Sequence, residues 1–273
     1  MRARIGVVAG AGDMPDRVIA ACREQGRDPF VIGLKDQACP ASFSRPPDAW
    51  IRLGEAGKGV DLLKSAGAKE VVLVGGVNRP PLRSLRPDAW TARLLLRVGR
   101  SYYRDGSVLS AIAAALEAEG LRVVAPETFA ASLAAEARAY SDRAPDAAER
   151  SDIARGFDVA RALGSLDVGQ AVIVQRGQVI GVEAAEGTDA LIERCAALLS
   201  AGEGGVLVKA CKPGQDIRID LPTIGPRTVS GAARAGLAGI AVGAGRALIL
   251  DSQEVTRLAD AAGMFVIGIG ETG

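Results

Sequence analysis

The chain has 273 residues, and its 33 basic and 32 acidic groups give a formal net charge of only +1, which argues against a general nucleic-acid binder with its normally basic surface. The sequence contains no histidine, which excludes a Ser-His-Asp triad, a Cys-His pair and every histidine-ligated metal centre. Chemistry here must come from Asp, Glu, Lys, Tyr, backbone dipoles or a hard metal ion such as Mg²⁺ or Mn²⁺.

The first half alternates short β-branched runs with amphipathic stretches. Strands are predicted at residues 4–10, 29–34, 70–77 and 121–127, and helices at residues 14–26, 59–68, 88–100 and 107–120. Pro15 stands in the first turn of the first helix and Gly26 at its end, where helix boundaries favour these residues. The alternation predicts an α/β fold that begins with a Rossmann-like domain built on a parallel sheet.

The composition becomes polar and charged around residues 134–150, and we predict a domain boundary there. The N-terminal domain would comprise residues 1–136 and the C-terminal domain residues 137–273. Within the second half, helices are predicted at residues 147–167, 188–200, 229–236 and 252–263, and strands at residues 205–211, 240–245 and 264–270. Two further strands within 170–184 meet at the turn "RG" as a hairpin. The C-terminal domain is therefore predicted to be α/β with a mixed sheet.

The cysteines and the chain start bear on the cellular compartment. The four cysteines show no C-x-x-C spacing and are interpreted as buried or incidental thiols in a reducing cytoplasm. The opening "MRARIGVVAGAG" lacks the apolar core of a secretory signal, and no run of 18 apolar residues predicts a transmembrane helix. We expect a soluble, cytoplasmic protein.

Two glycine-rich loops follow predicted strands of the first half. "AGAGDMP" (residues 9–15) connects a strand to a helix, and "VGGVNRP" (residues 74–80) ends the third strand. Open parallel sheets bind ligands at such loops, and a helix start can hold a phosphate. A tight turn that needs glycine explains the same residues equally well. Pro15 stands where the dinucleotide fingerprint has its third glycine, so the indication of an NAD site is weak.

The stretch "VEAAEGTDALI" (residues 182–192) ends a predicted strand and begins a helix. Thr188 or Asp189 could cap that helix, with Glu183 and Glu186 just upstream. A plain helix cap is one interpretation of this stretch. The alternative is a functional role shared with the charged segment that follows it in the chain.

That segment, "KPGQDIRIDLPTIGPRT" (residues 212–228), collects two carboxylates and three cations. In an extended strand, Asp216, Arg218 and Asp220 would share one face. The two carboxylates would then lie about 13 Å apart, too far to share a metal ion without a third carboxylate such as Asp189, whereas a tighter turn would bring them together. Arg218 and Lys212 would then bind phosphate oxygens. A solvated, turn-rich connection is the simpler interpretation.

The motif "EGTDALI" (residues 186–192), followed by "VKACKPGQDIRIDLPTIGPRTV" (residues 208–229), resembles the signature of the LpxI-type UDP-2,3-diacylglucosamine pyrophosphatases. "GAGDMP" near the start is similar to that family's opening pattern. The resemblance implies hydrolysis of the pyrophosphate bond of UDP-2,3-diacylglucosamine to UMP and 2,3-diacylglucosamine 1-phosphate (lipid X) in lipid A biosynthesis. It also implies Mg²⁺ as the cofactor, with Mn²⁺ as an alternative.

On this resemblance we assign three groups of site residues. The catalytic group provides a metal ligand or general base and cations that stabilise charge on phosphoryl oxygens; it comprises Asp220, Asp216, Arg218 and Lys212. The metal ligands are expected to be Asp189, Asp216 and Asp220. The substrate-binding group comprises Gly10, Ala11, Gly12, Asp13, Pro15, Gly75, Gly76, Asn78, Gly187, Thr188, Gln215, Thr223, Arg227 and Thr228.

A lipid substrate implies transient contact with the cytoplasmic face of the inner membrane, and the sequence leaves open whether the protein forms a homodimer. Two other functions remain open. A nucleotide-sugar oxidoreductase would use the "AGAGDMP" turn, but the chain lacks a Tyr-x-x-x-Lys pair. A non-catalytic nucleotide or lipid carrier would explain the glycine loops but not the pairing of Asp216 with Asp220.

Overall fold

The computed structural model describes residues 4–78, 81, 84–99, 105–200, 204–213, 218 and 221–270. The chain divides into two compact units. One consists of Met1–Ala131 with Asp216–Asp220, and the other of Ser132–Gln215 with Leu221–Gly273. The domain boundary between residues 136 and 137 stays a prediction.

The N-terminal unit contains a five-stranded sheet in the order β3-β2-β1-β4-β5, in which every pairing is parallel. Its strands are β1 (Arg4–Ala9), β2 (Pro29–Leu34), β3 (Ala49–Ile51), β4 (Ala68–Val74) and β5 (Arg122–Val123). Its helices are α1 (Met14–Glu24), α2 (Ala56–Ser65), α3 (Ala89–Val98) and α4 (Asp105–Ala118). This is the strand order of a Rossmann-like half, so the predicted fold of the first domain is confirmed.

Apolar runs explain why the central strands form where they do. Ile5 and Val7 of β1 and Val71 of β4 are fully buried, as strands covered by helices on both faces require. One core cluster includes Ile32 and Leu63 from β2 and α2. The carboxyl ends of β1 and β4 therefore meet at one edge, and their loops are placed side by side.

Three strands of this sheet differ from the sequence-based expectation, and one of them is β4, which was predicted over residues 70–77 and spans Ala68–Val74. The strand predicted over residues 121–127 is shorter because Pro126 lacks an N–H for the ladder, and Pro126–Thr128 forms a 3₁₀ turn instead. The strand β3 was missed because three residues are too short to show a period. Its Trp50 packs on Gly33, where an added Cβ would lie 2.6 Å from the ring.

The C-terminal unit contains a second five-stranded sheet, in the order β12-β10-β8-β6-β7. Its strands are β6 (Ala171–Gln175), β7 (Gln178–Val182), β8 (Val206–Lys209), β10 (Gly239–Gly243) and β12 (Phe265–Ile269), while β9 (Thr223–Ile224) and β11 (Leu248–Ile249) form a separate parallel pair. Its helices are α5 (Ala147–Ser165), α6 (Thr188–Cys195), α7 (Pro226–Arg234) and α8 (Ser252–Ala261). Strand β6 runs antiparallel to β7 and β8, while β8, β10 and β12 are parallel. The predicted mixed sheet is confirmed.

The predicted hairpin is present, and its turn has an anchor. Arg176 and Gly177 both adopt positive φ values, of 51° and 75°, as the tight turn between twisted strands requires. The carboxylate of Asp152 in α5 is buried and accepts hydrogen bonds from the N–H groups of Arg176 (2.9 Å) and Gly177 (2.6 Å). This turn lies at the edge of the sheet where β8 begins.

Helices cover both faces of the second sheet. Phe157 of α5 packs on one face with Val172 of β6, and α6, α7 and α8 cover the other face through residues such as Leu191 and Val229. Strands β7, β8 and β10 run in the same direction, so the helices that follow them all begin at one edge of the sheet. None of the helices that the structure describes is long and apolar enough to cross a bilayer.

Candidate active site

The loops after β1 and β4 form one edge of the first sheet, which we call the glycine edge (residues 10–13 and 75–78). They are joined as an isolated antiparallel bridge. The N–H of Ala11 donates to the carbonyl of Gly76 (2.8 Å), and the N–H of Gly76 donates to the carbonyl of Ala11 (2.9 Å). Each loop therefore provides hydrogen-bond partners for backbone groups of the other loop.

Close packing explains two of the glycines of this edge. A Cβ on Gly10 would lie 2.4 Å from the carbonyl oxygen of Gly76, and a Cβ on Gly75 would lie 2.8 Å from that of Ala11. Gly75 also has a φ of +95°. Gly12 differs, because its φ is +93° but no atom lies within 4 Å of an added Cβ. Gly12 is therefore required by backbone conformation, and Gly10 and Gly75 by the contact between the loops.

The start of α1 presents carboxylates. Pro15 is buried in the first turn, and Asp13 is exposed and makes no side-chain cap. Asp13 and Asp16 line an open cavity of about 520 Å³ together with Arg17 and residues 41–44. The carboxylate of Asp16 is held by the N–H of Ser44 (2.9 Å). Carboxylates such as that of Asp13 accept hydrogen bonds from hydroxyl groups.

Asn78 links the glycine edge to a third loop. Its backbone N–H donates to Oε1 of Gln37 (2.8 Å), which follows β2. The loops after β1, β2 and β4 are thus tied together at the carboxyl ends of their strands, the position where open α/β sheets bind ligands.

At the second sheet, we call the edge where α6 and α7 begin the charged edge. It carries Glu183, Lys209 and Lys212 with residues 187–189 and 223–228. Glu183, Lys209 and Lys212 are 7%, 6% and 8% exposed. Charged side chains are rarely buried to this extent without a specific role.

The start of α6 corrects the expectation that Thr188 or Asp189 caps it. Gly187, with a φ of +82°, is the N-cap residue, and no side chain caps the helix. The hydroxyl of Thr188 instead donates to Oε1 of Glu183 (2.6 Å), whose Oε2 accepts from the N–H of Gln170 (3.0 Å). Thr188 is therefore fixed by a buried carboxylate rather than by the helix end.

Lys209 is the last residue of β8. Its Nζ donates to the carbonyl of Thr223 (3.0 Å), while the hydroxyl of Thr223 donates to the carbonyl of Leu221 (3.1 Å). The lysine thus holds the main chain of the "LPTIG" turn that leads into α7.

Lys212 follows three residues later and reaches a different partner. Its Nζ donates to Oδ1 of Asp167 (2.9 Å), and Asp167 is about a quarter exposed. The backbone at Lys212 packs on the end of α5, because a Cβ added to Gly164 would lie 3.1 Å from the Cα of Lys212. The predicted phosphate-binding lysine is therefore held in place by a carboxylate.

Three predicted residues lie near the starts of α6 and α7. Arg227 and Asp189 form an ion pair in which the side chains are 84% and 55% exposed. The hydroxyl of Thr228 accepts a long hydrogen bond from the N–H of Gly225 (3.4 Å) and is buried. Arg227 and Asp189 are thus brought together at the surface, while Thr228 closes the first turn of α7.

The remaining predicted catalytic residues, and Gln215 of the predicted substrate-binding group, lie between Lys212 and Thr223 in the sequence. Gln215, Asp216 and Asp220 lie outside the described residues. Arg218 is described, and its Nη1 donates to Oε1 of Glu117 (2.7 Å) in α4, with both side chains about two-fifths exposed. By its contacts Arg218 belongs to the N-terminal unit.

The predicted metal ligands are Asp189, Asp216 and Asp220, of which the first is among the described residues. Within the part of the chain that the structure describes, no three His, Cys, Asp or Glu side chains are grouped to hold a metal ion. Asp189 is the described member of the set, and its carboxylate is paired with Arg227. The donor chemistry of the set is carboxylate oxygen, which suits a hard cation such as Mg²⁺.

Two of the four cysteines are unsuited to act as nucleophiles. Burial raises the pKa of Cys22 to about 11 and also raises the pKa of Cys195. A thiol with a raised pKa is a poor nucleophile at neutral pH. Cys39 is exposed and Cys211 half-buried.

Sequence reasoning missed Lys209 and Asp167, and it noted Glu183 only as a neighbour of a helix cap. A signal for Lys209 was present, since a charge ends the otherwise apolar run "GVLVKAC" (residues 205–211). The partners of these residues lie far away in sequence, so the local pattern could not supply them.

Comparison with known proteins covers both units. Residues 4–133 match the family model described as the LpxI N-terminal domain, and residues 136–267 match the LpxI C-terminal domain. The chain is also 37% identical over 273 residues to the UDP-2,3-diacylglucosamine pyrophosphatase LpxI of Caulobacter vibrioides, with 97% of each chain covered.

Proposed function

The chain belongs to the LpxI family, and from that premise we propose that it hydrolyses the pyrophosphate bond of UDP-2,3-diacylglucosamine to UMP and 2,3-diacylglucosamine 1-phosphate in lipid A biosynthesis. The family predicted from the motifs is confirmed. The observation that carries the proposed activity is the 37% identity, over 97% of the chain, to a relative named for that activity.

Two exposed arginines are proposed to bind the diphosphate. Arg227 is paired with Asp189 and Arg218 with Glu117, in pairs whose side chains are 40% exposed or more. Such pairs contribute only about 0–1 kcal/mol, so they are readily exchanged. A guanidinium matches phosphate oxygens as well as it matches a carboxylate. A diphosphate can therefore displace the carboxylates, and Asp189 would be released from Arg227.

Lys212 is proposed to act differently, as a fixed charge. Its ammonium is buried and bound to Asp167, and breaking a buried pair is costly. The lysine would therefore keep this partner when substrate binds. A charge that is already in place stabilises developing negative charge on phosphoryl oxygens without reorganisation.

We assign the general base to Asp220 or Asp216, and the metal site to these two residues with Asp189. The proposed cofactor is Mg²⁺, with Mn²⁺ as an alternative, since the sequence offers oxygen donors and no histidine. When bound, such an ion would neutralise the diphosphate and lower the pKa of a bound water. Whichever of Asp216 and Asp220 acts as the general base would accept the proton of the attacking water.

The glycine edge is proposed to bind the substrate through its polar loops. The group would comprise residues 10–13, Pro15, residues 75–76 and Asn78, with Asp13 accepting hydrogen bonds from sugar hydroxyls. On the C-terminal unit, Gly187, Thr188, Gln215, Thr223 and Thr228 complete the proposed group. The lipid would be taken up in a transient contact with the cytoplasmic face of the inner membrane.

The two alternative functions are less well supported. An oxidoreductase would need an open dinucleotide loop, but the space at Gly10 and Gly75 is occupied by the facing loop. A carrier would not need Lys209, Lys212 and Glu183 to be buried at one edge.

The test is the release of UMP from UDP-2,3-diacylglucosamine, measured with Mg²⁺, with Mn²⁺ and with excess EDTA. We expect the wild type to release UMP and lipid X in equal amounts with either ion and to stop with EDTA. Asp220→Ala is expected to lower the rate at least about 100-fold, whereas the matched surface variant Asp158→Ala keeps the wild-type rate. An inactive wild type would refute the proposed activity.

A further inference from the structure

Glu183 and Lys209 are two buried, oppositely charged side chains on one face of the second sheet. The N–H of Glu183 donates to the carbonyl of Ala171 (2.8 Å), and Ala171 is also the register partner of Lys209. Residues that face each other across antiparallel strands point to the same side of the sheet. The carboxylate, the small Ala171 and the ammonium therefore stand in a row across β7, β6 and β8.

The two charges are kept apart rather than paired with each other. The main chains of Glu183 and Lys209 are two strand spacings apart, roughly 10 Å, and Ala171 lies between them. The carboxylate accepts hydrogen bonds from the hydroxyl of Thr188 and the N–H of Gln170, and the ammonium donates to the carbonyl of Thr223. Burying a charge in this way is expensive compared with an apolar side chain of the same size.

Each charge holds one of the two loops that carry the proposed site. Glu183 fixes Thr188 at the start of α6, next to Asp189. Lys209 fixes the turn through Thr223, four residues before Arg227. Asp189 and Arg227 are themselves exposed and weakly paired, so their positions depend on the main chain beneath them.

We propose that Glu183 and Lys209 are positioning residues for the hydrolysis, each fixing one loop of the charged edge so that Asp189 and Arg227 face the substrate together. This inference rests on the proposed function. Small displacements of a group that aligns the reacting atoms reduce turnover by up to about 100-fold. Turnover is therefore expected to suffer more than substrate affinity.

Asp152 provides a matched control at the opposite edge of the same sheet. It is also a buried carboxylate, 5% exposed, that accepts two hydrogen bonds, here from the hairpin turn. Five residues of β6 separate the two edges, about 17 Å. Both Glu183→Gln and Asp152→Asn lose one acceptor oxygen from a buried carboxylate, so they differ mainly in which loop is released.

The experiment compares kcat, KM and Tm for UMP release by the full chain carrying Glu183→Gln, Lys209→Met, Lys209→Arg or Asp152→Asn. We expect Glu183→Gln and Lys209→Met to lower kcat at least tenfold with KM changed less than threefold, and Lys209→Arg to restore most of the activity. Asp152→Asn should lower Tm as Glu183→Gln does while kcat stays within twofold of the wild type.

Provided that the wild type hydrolyses the substrate, two results would overturn the inference. One is an equal loss of kcat in Glu183→Gln and Asp152→Asn, and the other is an unchanged kcat in a folded Lys209→Met variant. If Glu183→Gln cannot be purified folded, the Lys209 pair decides the matter. An inactive wild type would overturn the proposed function, and the inference would fall with it.

Discussion

The glycine edge of the N-terminal sheet and the charged edge of the C-terminal sheet occupy equivalent places, at the carboxyl ends of parallel strands, but they are built differently. At the glycine edge, main chain packs on main chain, and the facing loop occupies the space next to Gly10 and Gly75. At the charged edge, three ionisable side chains are buried. Packing explains why Gly10 and Gly75 are glycines. It does not explain the three buried charges, and we therefore propose that the charged edge holds groups that act on the diphosphate.

The largest effect on stability is expected from Gly10→Ala. The added Cβ would lie 2.4 Å from a main-chain oxygen of Gly76, and a main chain cannot move aside as a flexible side chain can. We expect the free energy of unfolding to fall by about 3 kcal/mol, measured by urea denaturation. The matched control is Gly76→Ala in the same bridge, where the nearest atom to an added Cβ is 3.8 Å away. Similar losses for both variants would refute the packing account of the glycine edge.

Lys212→Met should show the next largest effect, at the charged edge. The substitution leaves Asp167 without its ammonium partner. We expect a loss of about 2 kcal/mol in the free energy of unfolding, less than for a fully buried pair because Asp167 is partly exposed. The double variant with Asp167→Asn should recover part of that loss, since the two residues share one interaction. Strictly additive losses would mean that the pair contributes nothing to stability.

A smaller effect depends on pH and arises at Glu127. Burial raises the pKa of Glu127, and its Oε2 is buried without a hydrogen-bond partner among the described residues. The protonated form is therefore favoured by folding, and its contribution to stability is present below about pH 4 and is lost as the pH rises through the pKa of the folded state. Glu127→Gln should gain Tm relative to the wild type as the pH rises to neutrality. Glu24→Gln, at an exposed position on α1, is the control, and a gap that shrinks with pH would contradict the assignment.

The smallest change in stability is expected for Arg227→Ala, although the rate of UMP release by this variant should fall at least tenfold. Both partners of the Arg227–Asp189 pair are more than half exposed, so the free energy of unfolding should change by no more than about 0.5 kcal/mol. The contrast with Lys212→Met separates an exchangeable cation from a fixed one. An active Arg227→Ala enzyme would remove this arginine from the proposed site.

Much of the fold could be predicted because local patterns suffice for it. Short apolar runs gave β1 and β2 nearly to the residue, and the "RG" turn gave the hairpin of β6 and β7. The strand β5 was predicted too long because the apolar run continues to Pro126, which cannot join the ladder. The strand β3 shows no signal because its three residues do not complete a period.

The site could be predicted less well because its contacts cross the sheet. The carboxylate of Glu183 and the ammonium of Lys209 lie in one row across the sheet, on either side of Ala171, because β6 is inserted between β7 and β8. Nothing in the sequence near either residue specifies that strand order. The same reason explains the wrong cap at α6, where the hydroxyl of Thr188 is taken by Glu183 and the N-cap position falls to Gly187.

The most direct test of the division between the two edges is the steady-state release of UMP from UDP-2,3-diacylglucosamine by Asp189→Ala, at the charged edge, and by Asp13→Ala, at the glycine edge. We expect Asp189→Ala to lose at least about 100-fold in kcat with a KM near that of the wild type, and Asp13→Ala to raise KM while keeping most of kcat. A loss of kcat in Asp13→Ala together with normal turnover in Asp189→Ala would contradict the role assigned to the charged edge.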